Sequence, residues 1–237
     1  ADRTGRTTDP FNLSEKLNII YDCLMSTGDH MAITDLVTDP MTFFREDGRR
    51  NRLVGPLALM AALVTVSLVT SGMFIVWLTA KLPSDVSSNL LLIRVLSAGI
   101  SGLFVPVVLW VGYAAAFHAI SAFYGGTGSF RTTLKYVGWG FLPKVVGSLV
   151  VLAGMYLAVS STAAPESAEA VARASRAVTN DPYLTMSRLV SPVFTVWCGV
   201  IWLFGVAEAR DIDVRGAAVS VGVPVALSIA LTVATTV

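Results

Sequence analysis

Of the chain's 237 residues, 54% are hydrophobic and only 14% charged, and the formal net charge is +1. An ordinary soluble domain carries roughly 25% charged residues, so too little polar surface remains to cover a water-soluble globule. The net charge carries no message by itself, and no basic surface interleaved with aromatics suggests nucleic-acid binding.

From the N-terminus, residues 1–55 read as a cytoplasmic region and 56–237 as a transmembrane domain. Asn12 followed by Glu15 resembles a capping box, and Leu13, Leu17, Ile20 and Leu24 recur on one helical face. A short amphipathic helix is predicted over Leu13–Met25, read either as a membrane-surface or partner-binding helix or as a weakly ordered tail. Ala1 is not a methionine, whereas Met31 opens a stretch that reads like a natural start. Ile33, Leu36, Val37, Phe43 and Phe44 form an apolar stretch interrupted by Asp39-Pro40, and Arg45, Arg49, Arg50 and Arg52 follow. This pattern fits an interfacial segment with aromatics at headgroup level and arginines toward anionic lipid. The simpler account is topogenic charge.

Five apolar runs then follow: Pro56–Ala80, Leu90–Tyr124, Pro143–Thr162, Ser191–Ala207 and Gly216–Val237. A helix needs about 20 apolar residues to cross the hydrocarbon layer. The first run follows too long a polar stretch, and is itself too long, to be a cleaved signal peptide. Leu90–Tyr124 falls short of the roughly 40 residues that two crossings and a turn require, so it reads as one long helix kinked near Pro106. Pro56, Pro143 and Pro192 stand near the starts of spans, and Pro224, like Pro106, inside one. Between the third and fourth spans, Glu169 and Arg173 stand four apart in an Ala-rich run after Pro165, which predicts a short solvated helix. The fold class is all-α: a polytopic bundle of five transmembrane helices with a short N-terminal amphipathic region.

Charge predicts the orientation. With the N-terminus inside, Arg3, Arg6, Lys16, Arg45, Arg49, Arg50, Arg52, Arg131, Lys135, Lys144, Arg210 and Arg215 lie on the inner side. Lys81, Arg94, Arg173, Arg176 and Arg188 lie outside. The positive-inside bias therefore predicts a cytoplasmic N-terminus and an external Val237.

Nothing in the sequence marks an enzyme. No Ser-His-Asp set, HExxH, paired intramembrane aspartates or nucleotide loop is present, and Gly125-Gly126-Thr127-Gly128 lacks the Lys-Ser/Thr of a phosphate loop. Cys23 falls in the inner tail and Cys198 in the fourth span, so a disulfide, a metal site and thiol catalysis are not expected. No cofactor is expected either. Arg94 lies where it can snorkel to the outer surface. His118, beside Trp110, Tyr113 and Phe117, has no carboxylate at helical spacing and reads as a hydrogen-bonded interfacial residue, with a proton relay as the alternative. Ala98 with Gly102, Gly112 with Ala116, and Ala218, Gly222 and Ala226 show the four-residue spacing of small residues that lets helices approach. This reads as packing within the bundle, with dimerisation as the alternative.

The segment Gly125 to Pro143 is the best candidate for a functional surface. Gly125, Gly126 and Gly128 release the second helix, and Ser129 is placed to cap a helix from Phe130. Phe130, Leu134 and Val137 fall on one side of that helix, toward lipid or the bundle. Arg131 and Lys135 fall a third of a turn away, toward headgroups or a cytoplasmic partner; the alternative is a topogenic basic loop. Gly138 and Gly140 then break it, and Pro143 starts the third span.

Tyr124-Gly-Gly-Thr-Gly-Ser-Phe-Arg-Thr-Thr-Leu134 and Gly138-Trp-Gly-Phe-Leu-Pro143 resemble the inner loop and third-helix start of Yip1-family membrane proteins. Asp39-Pro40 with Phe43-Phe44-Arg45, and Leu53-Val54-Gly55-Pro56, resemble that family's entry into its membrane domain, so the likeness runs from Ile33 to Val237. Eukaryotic members typically carry Asp-Leu before the Gly-Pro motif, where Arg52-Leu53 stands here, and the chain is more similar to a prokaryotic or archaeal member. The resemblance implies a non-enzymatic adaptor or organiser, with the bilayer and a membrane or cytoplasmic protein as partners and an oligomer left open. The rival reading is a small-molecule or ion transporter with Pro106, Pro224 and His118 as its gating and site elements.

Overall fold

The computed structural model describes residues 33–49 and 53–236. The helix expected over Leu13–Met25, its Asn12 and Glu15, and Cys23 and Met31 lie outside the described residues. Two short helices come first, α1 (Ile33–Thr38) and α2 (Pro40–Arg49), and Asp39 between them accepts from the Thr42 backbone N–H at 3.2 Å to cap α2. The long helices are α3 (Val54–Thr79), α4 (Ser84–Ala122), α6 (Leu142–Ser161), α8 (Pro182–Arg210) and α9 (Val214–Thr236). Between them stand α5 (Phe130–Trp139) and α7 (Ala168–Thr179). All five long helices are long and apolar enough to cross a membrane. The all-α, five-span expectation holds, and this is a multi-pass membrane protein.

The second span is one continuous helix through Pro106, as its length required. The fourth departs from expectation. Its helix begins at Pro182, where the Asp181 carboxylate accepts from Tyr183 N–H at 2.9 Å, so Pro192 lies within the helix rather than at its start. Hydropathy alone truncated it, because the first turns carry Thr185, Ser187 and Arg188 yet remain helical under a good cap. The short helix predicted around Glu169 and Arg173 is α7.

α8 is the hub, packing on α6 along one side and α9 along another, with α2 and α5 against its last turns. An aromatic knot lies at the centre, where the Trp202 ring meets Tyr113 at 4.7 Å, Phe141 at 5.1 Å and Phe117 at 5.4 Å between centroids. At one end of the bundle α7 caps α3 and α8 through Val171 on Leu78 and Leu82, and through Val178 on Leu184. Lys81 pairs with Glu166 there at 3.2 Å. The other end, the base, carries α1, α2, α5 and the turn from Phe123 to Ser129. Between the two ends the surface is apolar: Leu92, Ile93, Leu96, Phe104 and Val108 on α4 and Val193, Val196 and Val200 on α8 are all exposed, as suits contact with lipid.

Small residues divide into two groups. Gly102 packs on Leu68 of α3, so this spacing serves the bundle as expected. Gly112 and Gly222 meet nothing within 4 Å, and Ala218, Gly222 and Ala226 stay exposed on α9, so intramolecular packing does not account for them.

Candidate functional site

The site grows out of the end of α4. Gly125 adopts φ +80°, a conformation that favours glycine, and reverses the chain after Tyr124. Gly126 and Gly128 have a different use. A Cβ on Gly128 would stand 1.7 Å from the Ala209 carbonyl oxygen, and one on Gly126 2.9 Å from Arg210 Nε, so these glycines admit the end of α8. The buried Arg210 side chain donates from Nε to Ser121 Oγ at 2.9 Å, from Nη2 to the Gly126 carbonyl at 2.6 Å, and from Nη1 to the Gly128 carbonyl. In return the Thr127 N–H donates to the Arg210 carbonyl at 3.0 Å. A planar fork of five donors suits this task, gathering hydroxyl and carbonyl oxygens with no carboxylate required.

Ser129 then caps α5 as the sequence predicts: its Oγ accepts from Thr132 N–H at 3.2 Å, and the helix starts at Phe130. α5 is wedged between α4, α8 and α3. Two indoles fix it. Trp110 Nε1 of α4 donates to the Leu134 carbonyl and Trp202 Nε1 of α8 to the Val137 carbonyl, both at 2.8 Å. Tyr136 Oη reaches the Phe44 carbonyl of α2 at 2.7 Å, and the Phe43 ring meets Trp139 edge-on at 5.2 Å. His118 Nδ1 lies 3.1 Å from Thr133 Oγ1, with its ring edge-on to Phe130, which is the hydrogen-bonded histidine that the sequence suggested.

Two expectations for this segment change. Lys135 does not face outward with Arg131. It is 4% exposed, with Nζ 5.1 Å over the Tyr136 ring, because α3, α4 and α8 enclose α5 and leave a free face only near its start. The helix does end at Gly140, its C-cap residue, but Gly138 lies within it, and neither glycine serves only as a breaker. Gly138 is the penultimate residue of α5, where a Cβ would stand 2.6 Å from Pro56, and Gly140 follows, where one would stand 2.1 Å from the Trp202 ring. Their role is close approach, and Leu142 and Pro143 start α6 directly afterwards.

Of the candidate surface residues, Phe130 and Arg131 remain exposed, Leu134 is half-buried against the central core, and Pro143 is buried. Phe123 and Tyr124 extend the exposed patch, Phe123 at 88%. The sequence alone does not mark Arg210, Trp110 and Trp202 as parts of this site. An arginine closing a span reads as topogenic and a tryptophan as interfacial, and only the fold brings them onto the loop's carbonyls.

Yip1 domain proteins match this chain over residues 34–235. An uncharacterised protein of Methanocaldococcus jannaschii, MJ0794, is 27% identical over 122 residues, which cover 52% of this chain and 86% of that protein. No solved structure matches it. The matched region takes in α1 to α9, the glycine turn and the α5 wedge, and the chain belongs to the Yip1 domain family.

Proposed function

We propose that this protein works without catalysis, as an adaptor that presents a preorganised surface to a protein partner at the membrane. The base is the cytoplasmic face on this reading, and a prokaryotic plasma membrane is the setting. One observation carries it: the segment from Phe123 to Trp139 is braced by Arg210, Trp110, Trp202 and Tyr136, yet keeps Phe123, Tyr124, Phe130 and Arg131 exposed. Rigid exposed aromatics beside an arginine make contact area at little ordering cost.

The test separates holding the surface from being the surface. Leu134→Glu places a carboxylate against the core and should destabilise the protein by roughly 1 to 3 kcal/mol, read by thermal unfolding in mild detergent. Arg131→Ala with Phe130→Ala should unfold at the temperature of the unaltered protein but lose its partner in native mass spectrometry of the detergent-extracted complex. Equal behaviour of the two variants in both assays defeats the adaptor reading. A transporter has one specific observation in its favour, a hydroxyl-lined cavity around Lys144 between the spans. Uptake of solute into vesicles by the purified protein alone would replace the adaptor with it.

A further inference from the structure

Lys144 reads from sequence as one more inner-side cation, but the structure places it in a cavity. That cavity, about 400 Å³, lies between α3, α4 and α6 and is closed by Ser191 of α8. A second cavity of about 350 Å³ continues from it toward the α7 end, and Thr70, Ser71 and Ser101 line both. The result is one groove with Lys144 toward one end and Arg94 toward the other. No acidic residue lines either part.

Three features define what the groove can hold. Lys144 Nζ donates to Ser191 Oγ at 3.2 Å and to Thr195 Oγ1 at 3.0 Å; an ammonium has three donors, so one is left for the space that Lys144 lines. Ser67 and Ser71 stand one turn apart on α3 and line the same space. Thr65 and Thr70 on that helix donate to the carbonyl four residues back, both at 2.8 Å, whereas the hydroxyls of Ser67 and Ser71 make no hydrogen bond among the described residues. Finally, Ser101, Val105 and Leu109 both line the groove and are exposed on α4, so it opens sideways onto the apolar belt. A cation inside an apolar belt is costly until an anion meets it, and oxygens are what an ammonium and two free hydroxyls accommodate.

We propose that this groove binds a phosphate-type oxyanion, with Lys144 as its charge partner and Ser67 and Ser71 as donors. The sideways opening makes an anionic lipid the fitting source, with the headgroup inside and the chains along the exposed face of α4; inorganic phosphate is the other source of the same chemistry. The proposal stands independently of the adaptor reading, because no residue of the base enters it.

The experiment uses purified protein in mild detergent, probed separately with phosphatidylglycerol, phosphatidylcholine and inorganic phosphate, and read by native mass spectrometry and thermal shift. One phosphatidylglycerol should be retained per chain and phosphatidylcholine should not. Lys144→Met should weaken retention at least about tenfold and Lys144→Arg should keep most of it. Should Lys144→Met fail to fold, Ser67→Ala with Ser71→Ala decides, since it removes donors and leaves the packing in place. A thermal shift by inorganic phosphate that is lost in the same variants, with no lipid retained, supports the site and assigns it to the free anion. Absence of binding by every probe overturns the proposal, as does phosphatidylglycerol retention that survives both the Lys144→Met and the double serine variant.

Discussion

Arg210 holds more of the base together than any other single side chain, since its guanidinium gathers Ser121, Gly126 and Gly128 while its own carbonyl receives Thr127. Truncating it would leave two part-buried turn carbonyls and the buried Ser121 hydroxyl without this donor, and losing hydrogen bonds to a charged group of this kind costs about 2 to 4 kcal/mol. Arg210→Met is therefore expected to lower the unfolding temperature in detergent far more than Arg131→Ala, whose side chain is exposed; equal shifts would show that the turn holds without it. At this scale the sequence was legible where the interaction is local. Ser129 announces its cap because the N–H it accepts from lies three residues on. Arg210 and the packing glycines Gly128 and Gly140 were not legible in that way, because their partners are distant in sequence and a glycine looks the same whether it turns the chain or admits a neighbour.

Among the elements, α2 illustrates how a short helix is held in place by a cap at its start and by Phe43 and Phe44 near its middle. Asp39 is held below the ordinary carboxyl value of 3.8 by hydrogen bonds from Thr42, first its side chain and then its backbone, with Arg45 adding attraction. A depressed pKa contributes stability above the unfolded value and loses it as pH falls through the folded one. The docking of α2 should thus be level from about pH 7 down to about 5 and loosen only below the carboxylate range near 4. Hydrogen exchange over residues 40–49 would show this, and Asp39→Asn, which keeps an acceptor for the cap, should remove the acid step. A step centred near pH 6 would instead implicate a histidine. The spans themselves were legible because hydropathy accumulates along a single helix, and α5 because a capped, glycine-bounded segment is a local pattern. The burial of Lys135 was not, since helical phase predicts two faces only when a helix is packed on one side, and α5 is enclosed by three neighbours.

For the whole molecule, the positive-inside bias remains the argument for orientation. Arg45, Arg131 and Arg215 stand at the base, and Lys81, Arg173, Arg176 and Arg188 stand at the α7 end; in the sequence, Arg49, Arg50 and Arg52 precede the first span. Reporter fusions placed before α1 should be active only on the cytoplasmic side and fusions after α9 only outside; the reverse pattern would invert the molecule and with it the proposed partner surface. The helices are also unequal in a way that composition does not reveal. α4 has 39 residues and α6 has 20, about 58 Å against about 30 Å. α3 starts beside Trp110, where Pro56 meets Gly138, while α4 runs on from there to Ala122 for about 18 Å more. α9 begins beside Tyr124 and carries exposed Val219, Val223 and Leu227 along that lower stretch, whereas the exposed apolar run of α8 stops at Val200. The hydrophobic girdle is consequently slanted, lower around α9 than around α6 and α8. A flat bilayer of even thickness fits such a girdle only if the protein leans or the leaflet dips on one flank.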